Sequence, residues 1–401
     1  MNTHHAEQAL QGVRVIDAST ILAGPLCCRI LGDYGAEVIK IEHPQYGDAM
    51  RGHGKSVNNV PIWWKEISRN KKNLGLNLKS AEGREILARL LGNTDIFVEN
   101  FRPGTLESWG LAPEYLHNIN PKLVIIRISG FGQEGPYSKR PGFGTLAESM
   151  SGFAHLTGPA DGPPTLPAFG LADTICGIAA SSAALMALRY AEKTGVGQVV
   201  DMSILGPMME AVGPGPTIYD LTQEVGFRTG NASLNNSPRN TYQTRDKRWV
   251  AISTSAQSIA ERVMRLIGHP ELIEEEWFKS GSTRVLHREM LDGYVQDWIG
   301  QRDLHEVVRA FEEAEAAVAP IYDAKDVAED PHILESQMLV RVPDEDFGEL
   351  LQHNVLWKMS ETPGEIRHTG TSLGHDTDAL LGDLGYSAIE ISALKDTGNI
   401  T

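Results

Sequence analysis

The chain has 401 residues, 41% hydrophobic and 22% charged, ordinary values for a globular protein with a real core and a length that suggests two or more domains. A formal net charge of −16 argues against nucleic acid or an anionic membrane as partner, because both require a basic footprint. The longest charge-free run without helix breakers, about Ile178 to Leu188, falls well short of the ~20 apolar residues of a membrane span. The polar segment from Met1 to Gln11 holds no apolar run of the secretory kind, so a cytoplasmic location is expected.

Three cysteines, Cys27, Cys28 and Cys176, are too few for a disulfide framework and lack CxxC spacing, so they are read as small buried residues. The thirteen histidines, His4 and His5 included, show no ligand spacing, and no metal site is expected.

The first hundred residues alternate. Val13–Asp17 reads as a buried strand, Leu26–Tyr34 as a helix closed by Gly35, and Glu37–Glu42 as a second strand, which makes a βαβ unit. Asn73–Leu78 is a further strand, followed by a helix to Leu91 with Ser80 as its N-cap. Asp95–Glu99 and Leu123–Ile128 complete a set that implies an α/β fold with a parallel sheet. Asp173–Lys193 is a long helix of small residues, expected to be central, and Gln198–Met202 is another strand. The Gly-, Pro- and Met-rich stretch 207–225 reads as a linker. Beyond it, a hairpin over Tyr242–Ser253 and an amphipathic helix over Leu304–Ala317 mark a second, α+β unit. The expected division is a large domain of 1–206 and 328–401 and a small domain of 226–327.

A GxGxxG pattern occurs at Gly130–Gly135, but Pro136 follows at once, so no helix can begin where a dinucleotide pyrophosphate would need one. There is no GxxxxGK[ST] loop and no GxSxG elbow. Two basic clusters, Arg69–Lys72 and Lys139-Arg140, are either solvated surface charge or phosphate contacts, and Asn100–Gly104 lies at a strand end, the ligand edge of an open α/β sheet. Asp173, in an apolar turn before the small-residue helix, reads as an N-cap, a role compatible with that of a nucleophile whose ionised form the helix terminus favours.

Taken together, Gly24-Pro25, Gly35–Glu42, Glu99–Gly104, Ile128–Gly132, Ser151-Gly152, Asp173, Thr194–Gln198, Val318–Pro320 and Glu329–Pro331 fall in an order that resembles the class III coenzyme A transferases. That group includes formyl-CoA and carnitine CoA-transferases. The resemblance implies a Rossmann-like large domain, a smaller domain, and an interlocked homodimer. It implies coenzyme A as acyl-CoA substrate rather than a tightly bound cofactor, with a free carboxylic acid as the second substrate. Asp173 matches the family's nucleophile. The CoA contacts implied are Leu22, Ala23, His43, Lys72, Leu76, Asn77, Leu78, Lys79, Asn100, Phe101, Arg102, Lys139 and Arg140. His43 stands where relatives often carry arginine, and Ser108 where they carry a basic residue. The glycine-run loop of the formyl-CoA enzymes is replaced by Gly230–Arg239, in which Asn236 and Arg239 are candidate contacts to the carboxylate substrate. Two other functions remain open at this point. An α-methylacyl-CoA racemase would need a histidine where Phe143 stands, and a silent CoA-binding protein would have no use for Asp173.

Overall fold

A computed structural model describes residues 8–401; His4 and His5 and the first part of the polar N-terminal segment lie outside the described residues. The chain forms two compact units. The first contains the chain up to Phe153, Pro167–Pro214 and His332–Thr401; the second contains Ala154–Leu166 and Gly215–Pro331.

In the first unit six parallel strands form one sheet: β1 (Arg14–Asp17), β2 (Glu37–Glu42), β3 (Lys71–Gly75), β4 (Ile96–Glu99), β5 (Val124–Ser129) and β6 (Val199–Ser203). Their spatial order is β3-β2-β1-β4-β5-β6, the doubly wound arrangement. The central strands are near-continuous Val, Ile and Phe runs because both faces are covered. One face packs on α1 (Ala23–Asp33) and the other on α2 (Ala81–Leu91), giving two separate apolar cores. Ser80 caps α2 by accepting the Gly83 N–H. Strand β3 begins two residues before the expected Asn73 and ends at Gly75, because Lys71 and Lys72 pair in register with Val38 and Ile39.

Beyond β5 come α3 (Gly144–Met150), α4 (Leu171–Thr194) and α5 (Leu205–Val212). Helix α4 buries Ala172, Cys176, Ala180, Ala184, Ala187 and Ala191, a stripe at helical spacing facing α1 and the sheet. Gly177 has the tightest approach: a Cβ there would lie 2.8 Å from the Ala23 carbonyl oxygen. The opposite face carries Met186 and Tyr190 exposed, so α4 is covered on one side instead of being central. Since Gly177 stays helical, the apolar run continues through it. By length and composition α4 could cross a membrane, contrary to the shorter run expected, although in the fold its alanine face belongs to the core.

In the glycine pattern at 130–135, Gly132 and Gly135 serve positive φ angles, and Gly130 has a packing cause. A Cβ on Gly130 would lie 2.5 Å from the Cα of Gly142, so two loops cross there backbone to backbone. The stretch expected as a linker is largely helical, comprising most of α5 and a helix over Gly215–Thr222.

The second unit has a three-stranded antiparallel sheet of β7 (Asn240–Gln243), β8 (Trp249–Ile252) and β9 (Val318–Pro320), with β8 in the centre. Helices α6 (Gln257–Ile267), α7 (Arg288–Ile299) and α8 (Leu304–Glu313) cover it, with Val263, Val295, Val307 and Phe311 in the core. The end of the chain returns to the first unit, where Leu76 bridges to Ile400 and the Asp376 carboxylate accepts the Asn73 N–H at 2.7 Å.

Candidate active site

In the order β3-β2-β1-β4-β5-β6 the connections reverse direction between β1 and β4, which opens a crevice beyond the C-terminal strand ends. Thr20–Ala23 follow β1 there, Asn100–Pro103 follow β4, and Ile128–Gly130 close β5. Together with Arg140, Phe143 and Asp173 they line a cavity of about 250 Å³. A second cavity of about 520 Å³ shares Ile21, Leu22, Phe143 and Asp173, and adds His53, Trp63, Glu148 and Phe169. Asp173 therefore stands in the wall between a space with two arginines and a space lined by aromatic rings.

The N-cap of α4 is Gly170, and Asp173 is the third helical residue, so the capping role expected for it does not fall there. Its carboxylate lies against the backbone of Gly144 at the start of α3, whose N–H favours the ionised form. The approach is close enough that a Cβ on residue 144 would sit 2.3 Å from Asp173 Oδ2. Burial, and secondarily the negative charge of Glu148, push the Asp173 carboxyl up to about 6, while the Gly144 N–H opposes them. Glu148 is 2% exposed, and its Oε1 accepts the Ala172 N–H at 3.1 Å. Nothing in the local sequence singles out Glu148 or Gly144 except an acid and a glycine on a short helix that also buries Ala147.

The loop between β1 and α1 is held from below by buried charge. Lys71 Nζ meets Asp17 Oδ2 at 2.9 Å and donates to the Pro25 carbonyl at 2.7 Å. Lys40 Nζ meets Asp48 Oδ2 at 2.8 Å and donates to the Ser19 carbonyl. The other oxygen of Asp48 accepts the Ile21 N–H at 3.0 Å, fixing that β-branched residue at a φ of 69°.

The sequence-derived CoA contacts separate into groups. Leu22, Ala23, Asn100, Phe101, Arg102 and Arg140 converge on the smaller cavity with Asp173. Arg102 and Arg140 have no acidic partner among the described residues, and Arg140 lies 3.7 Å over the Tyr137 ring. Asn100 has a further role beside the one expected, because its side-chain amide clamps both backbone groups of Thr20, each at 2.9 Å. His43 and Lys79 face each other beyond β2 and β3; partial burial and the Lys79 charge lower the imidazole pKa. His43 stacks on Tyr46, and Asn77 and Leu78 are half-buried nearby in the chain. The Leu76 side chain is 1% exposed within the second core, which leaves only its backbone for a ligand. Lys72 reaches Glu37 at 2.6 Å, at the N-terminal end of β2 and thus at the opposite edge of the sheet from the cavity. Its neighbours Arg69 and Lys71 are fully buried ion-pair partners of Asp33 and Asp17, neither surface charge nor phosphate ligands. Lys139 is exposed and outside the cavity lining that includes Arg140. In the second unit, Arg239 donates to the Asn231 carbonyl at 2.7 Å and lines a separate cavity of about 420 Å³, while Asn236 Nδ2 lies 3.4 Å from Ser255 Oγ.

The family model described as CoA-transferase family III matches residues 10–377. A succinyl-CoA–D-citramalate CoA-transferase of Chloroflexus aurantiacus is 37% identical over 98% of this chain and 99% of its own length. A human succinyl-CoA:glutarate CoA-transferase is 31% identical over 85% of this chain and 78% of its own. The crystal structure of a CAIB/BAIF family protein from Brucella suis superposes with a TM-score of 0.83 at 28% identity, covering 94% of this chain and all of that one. With a doubly wound sheet, an aspartate at its switch point and a sequence match over nearly the whole chain, this protein belongs to CoA-transferase family III and is an acyl-CoA:carboxylate CoA-transferase.

Proposed function

We propose that this enzyme moves CoA between a succinyl-type thioester and a small dicarboxylate, with Asp173 as the covalent carrier. The observation that carries this reading is the position of Asp173, one carboxylate in the wall of two cavities of different chemistry. Support for the substrates comes from relatives named for succinyl-CoA with D-citramalate, L-malate and glutarate.

The Asp173 carboxylate attacks the thioester carbonyl, forming a mixed aspartyl–acyl anhydride and releasing CoA thiolate. The thiolate attacks the aspartyl carbonyl of that anhydride, which gives an enzyme–CoA thioester and frees the first acid. The incoming carboxylate attacks this thioester and again releases CoA thiolate. Attack of the thiolate on the new acyl carbonyl then yields the product thioester and restores Asp173. Keeping the activation on the protein avoids hydrolysis, and splitting the exchange lowers each barrier. In this reading the Gly144 N–H, next to the carboxylate, stabilises the oxyanion formed when the aspartyl carbonyl is attacked. Phe143, beside Asp173, offers no proton to a substrate α-carbon, which disfavours racemisation.

For CoA we assign Leu22, Ala23, Phe101, Arg102 and Arg140 around the reacting end, and His43, Asn77, Leu78 and Lys79 beyond β2 and β3. For the acceptor we retain Asn236 and Arg239. The working form is a homodimer, supported by the helix Gly215–Thr222, which buries no residue and exposes Ile218, Tyr219 and Leu221. A reducing, cytoplasmic setting suits its three free, buried thiols. The decisive experiment is incubation with succinyl-CoA and hydroxylamine, followed by peptide mapping and by mass spectrometry of the CoA products formed with a panel of acceptors. A hydroxamate on Asp173 and new thioesters of dicarboxylic acids are expected; an unmodified Asp173 during turnover overturns the carrier role.

A further inference from the structure

We propose that Glu148 is a positioning residue of the transfer reaction, whose buried carboxylate both orients the first turn of α4 and holds a second negative charge against Asp173. This rests on Asp173 being the nucleophile.

The geometry has three parts. Glu148 lies in α3, only four residues beyond Gly144, whose backbone touches Asp173. Its Oε1 accepts the N–H of Ala172, the residue immediately before Asp173, so α3 bonds the start of α4 at Ala172 and packs closely on it at Asp173. Finally, Glu148 lines the larger cavity together with Asp173, is almost wholly buried, and has no ion-pair partner among the described residues. A buried carboxylate without a cation is costly, and the hydrogen bond to Ala172 alone could be made by a glutamine. The charge itself therefore calls for a use.

That use lies in the covalent cycle. In the resting enzyme the Glu148 carboxylate shares a wall of the larger cavity with Asp173 and its charge opposes the ionisation of Asp173. Acylation of Asp173 removes its negative charge, first as anhydride and then as CoA thioester, while the charge leaves on the thiolate and then on the released acid. The repulsion from Glu148 is thus relieved whenever Asp173 stands as anhydride or as CoA thioester. The same field makes the free Asp173 carboxylate more basic, and so a better nucleophile once ionised.

The other groups facing Asp173 do not duplicate this effect. From α4 itself comes Cys176, a thiol pushed up by burial and by Asp173, with Cys27 of α1 behind it. The smaller cavity brings Arg102 and Arg140, and the larger brings His53. Helix α5, packed on α3 and α4, carries Glu210, which is exposed. Among these groups Glu148 is the buried acid.

The test measures the pH dependence of enzyme–CoA formation from succinyl-CoA in the parent, Glu148→Gln, Glu148→Asp and Asp173→Asn. Glutamine keeps the shape and the acceptor for Ala172 but removes the charge. In Glu148→Gln the acid limb should move down by about one pH unit, with the plateau rate falling several-fold. In Glu148→Asp the charge remains and the limb should stay near its parental pH. An unmoved limb in Glu148→Gln, with melting temperature and plateau rate both parental, overturns the proposal. If Glu148→Gln does not fold, Glu148→Asp decides: a limb dropping to the ordinary carboxylate range despite the retained charge overturns it. Asp173→Asn separates the two readings, since activity surviving there refutes the nucleophile itself, whereas an inactive Asp173→Asn with an unmoved Glu148→Gln limb refutes only the role of Glu148.

Discussion

Asp17 at the end of β1 and Asp173 in the first turn of α4 lie in the same unit, yet their surroundings differ in kind. Asp17 is fully buried with Lys71 at 2.9 Å and Lys40 at 3.9 Å, and it also accepts the Ser19 hydroxyl at 2.5 Å. Burial raises its carboxyl, but the two lysines and these hydrogen bonds prevail, and the net shift is downward. Asp173 is less deeply buried, yet with a carboxylate for a neighbour and only one backbone N–H to offset it, its carboxyl rises to about 6. Burial alone does not settle the fate of an acid. The sign of the nearest charges does, and it separates a carboxylate that holds a loop from one kept ready to react.

Asp173→Asn should break the comparison most severely, lowering transfer by at least ~10³-fold in a mass-spectrometric assay of CoA products, because the carrier is lost while the side-chain shape is kept. Folding should survive, and near neutral pH the variant should melt no lower than the parent. The sign follows from linkage. A carboxyl raised in the folded state contributes stability below its unfolded value near 3.8, and that contribution is lost as pH rises through about 6. Asp17, shifted downward, behaves in the opposite way: its contribution is present above 3.8 and disappears as pH falls through its folded pKa.

Lys71→Met should damage stability in place of chemistry. It removes one partner of a fully buried pair and the donor to the Pro25 carbonyl, at a cost of roughly 3–5 kcal/mol by urea unfolding. Gly144→Ala should lower turnover about 10–100-fold with the melting temperature little changed, since its Cβ would displace the Asp173 carboxylate from its donor. A parental rate in Gly144→Ala would show that the close approach has no bearing on catalysis. In the parent, the acid limb of the first half-reaction should fall at about pH 6, rising as the Asp173 proton leaves. The smallest effect is expected from Asn100→Ala, which frees both backbone groups of Thr20. Losing these hydrogen bonds should weaken acyl-CoA binding by about 1–2 kcal/mol, seen in KM more than in kcat.

Much of this was legible from the chain. The strand–helix alternation, the Ser80 cap, the hairpin at 240–252 and the buried thiols are local or nearly local properties, set by periodicity and turn chemistry. Asp173 stood out because an acid in an apolar turn before a small-residue helix is conspicuous, and the family resemblance gave it a role. The cluster Arg69–Lys72 misled, because adjacent lysines along a strand look alike in sequence. Lys71 points into the core, where Asp17 waits from a strand 54 residues earlier, and Lys72 points outward to Glu37. At Asn100 the sequence leaves both readings open: a strand-end asparagine suits a ligand or a loop, and only the fold brings Thr20 against it.

The sequence by itself determined the secondary elements, the parallel α/β class and the candidate nucleophile, because hydrophobic period, capping and turn residues act over a few positions. Only the tertiary structure decided which charges are paired and which are opposed. Electrostatic energy depends on distance and burial, and Glu148 meets Asp173, as Lys71 meets Asp17, only after residues 25 and 54 positions apart are folded against one another.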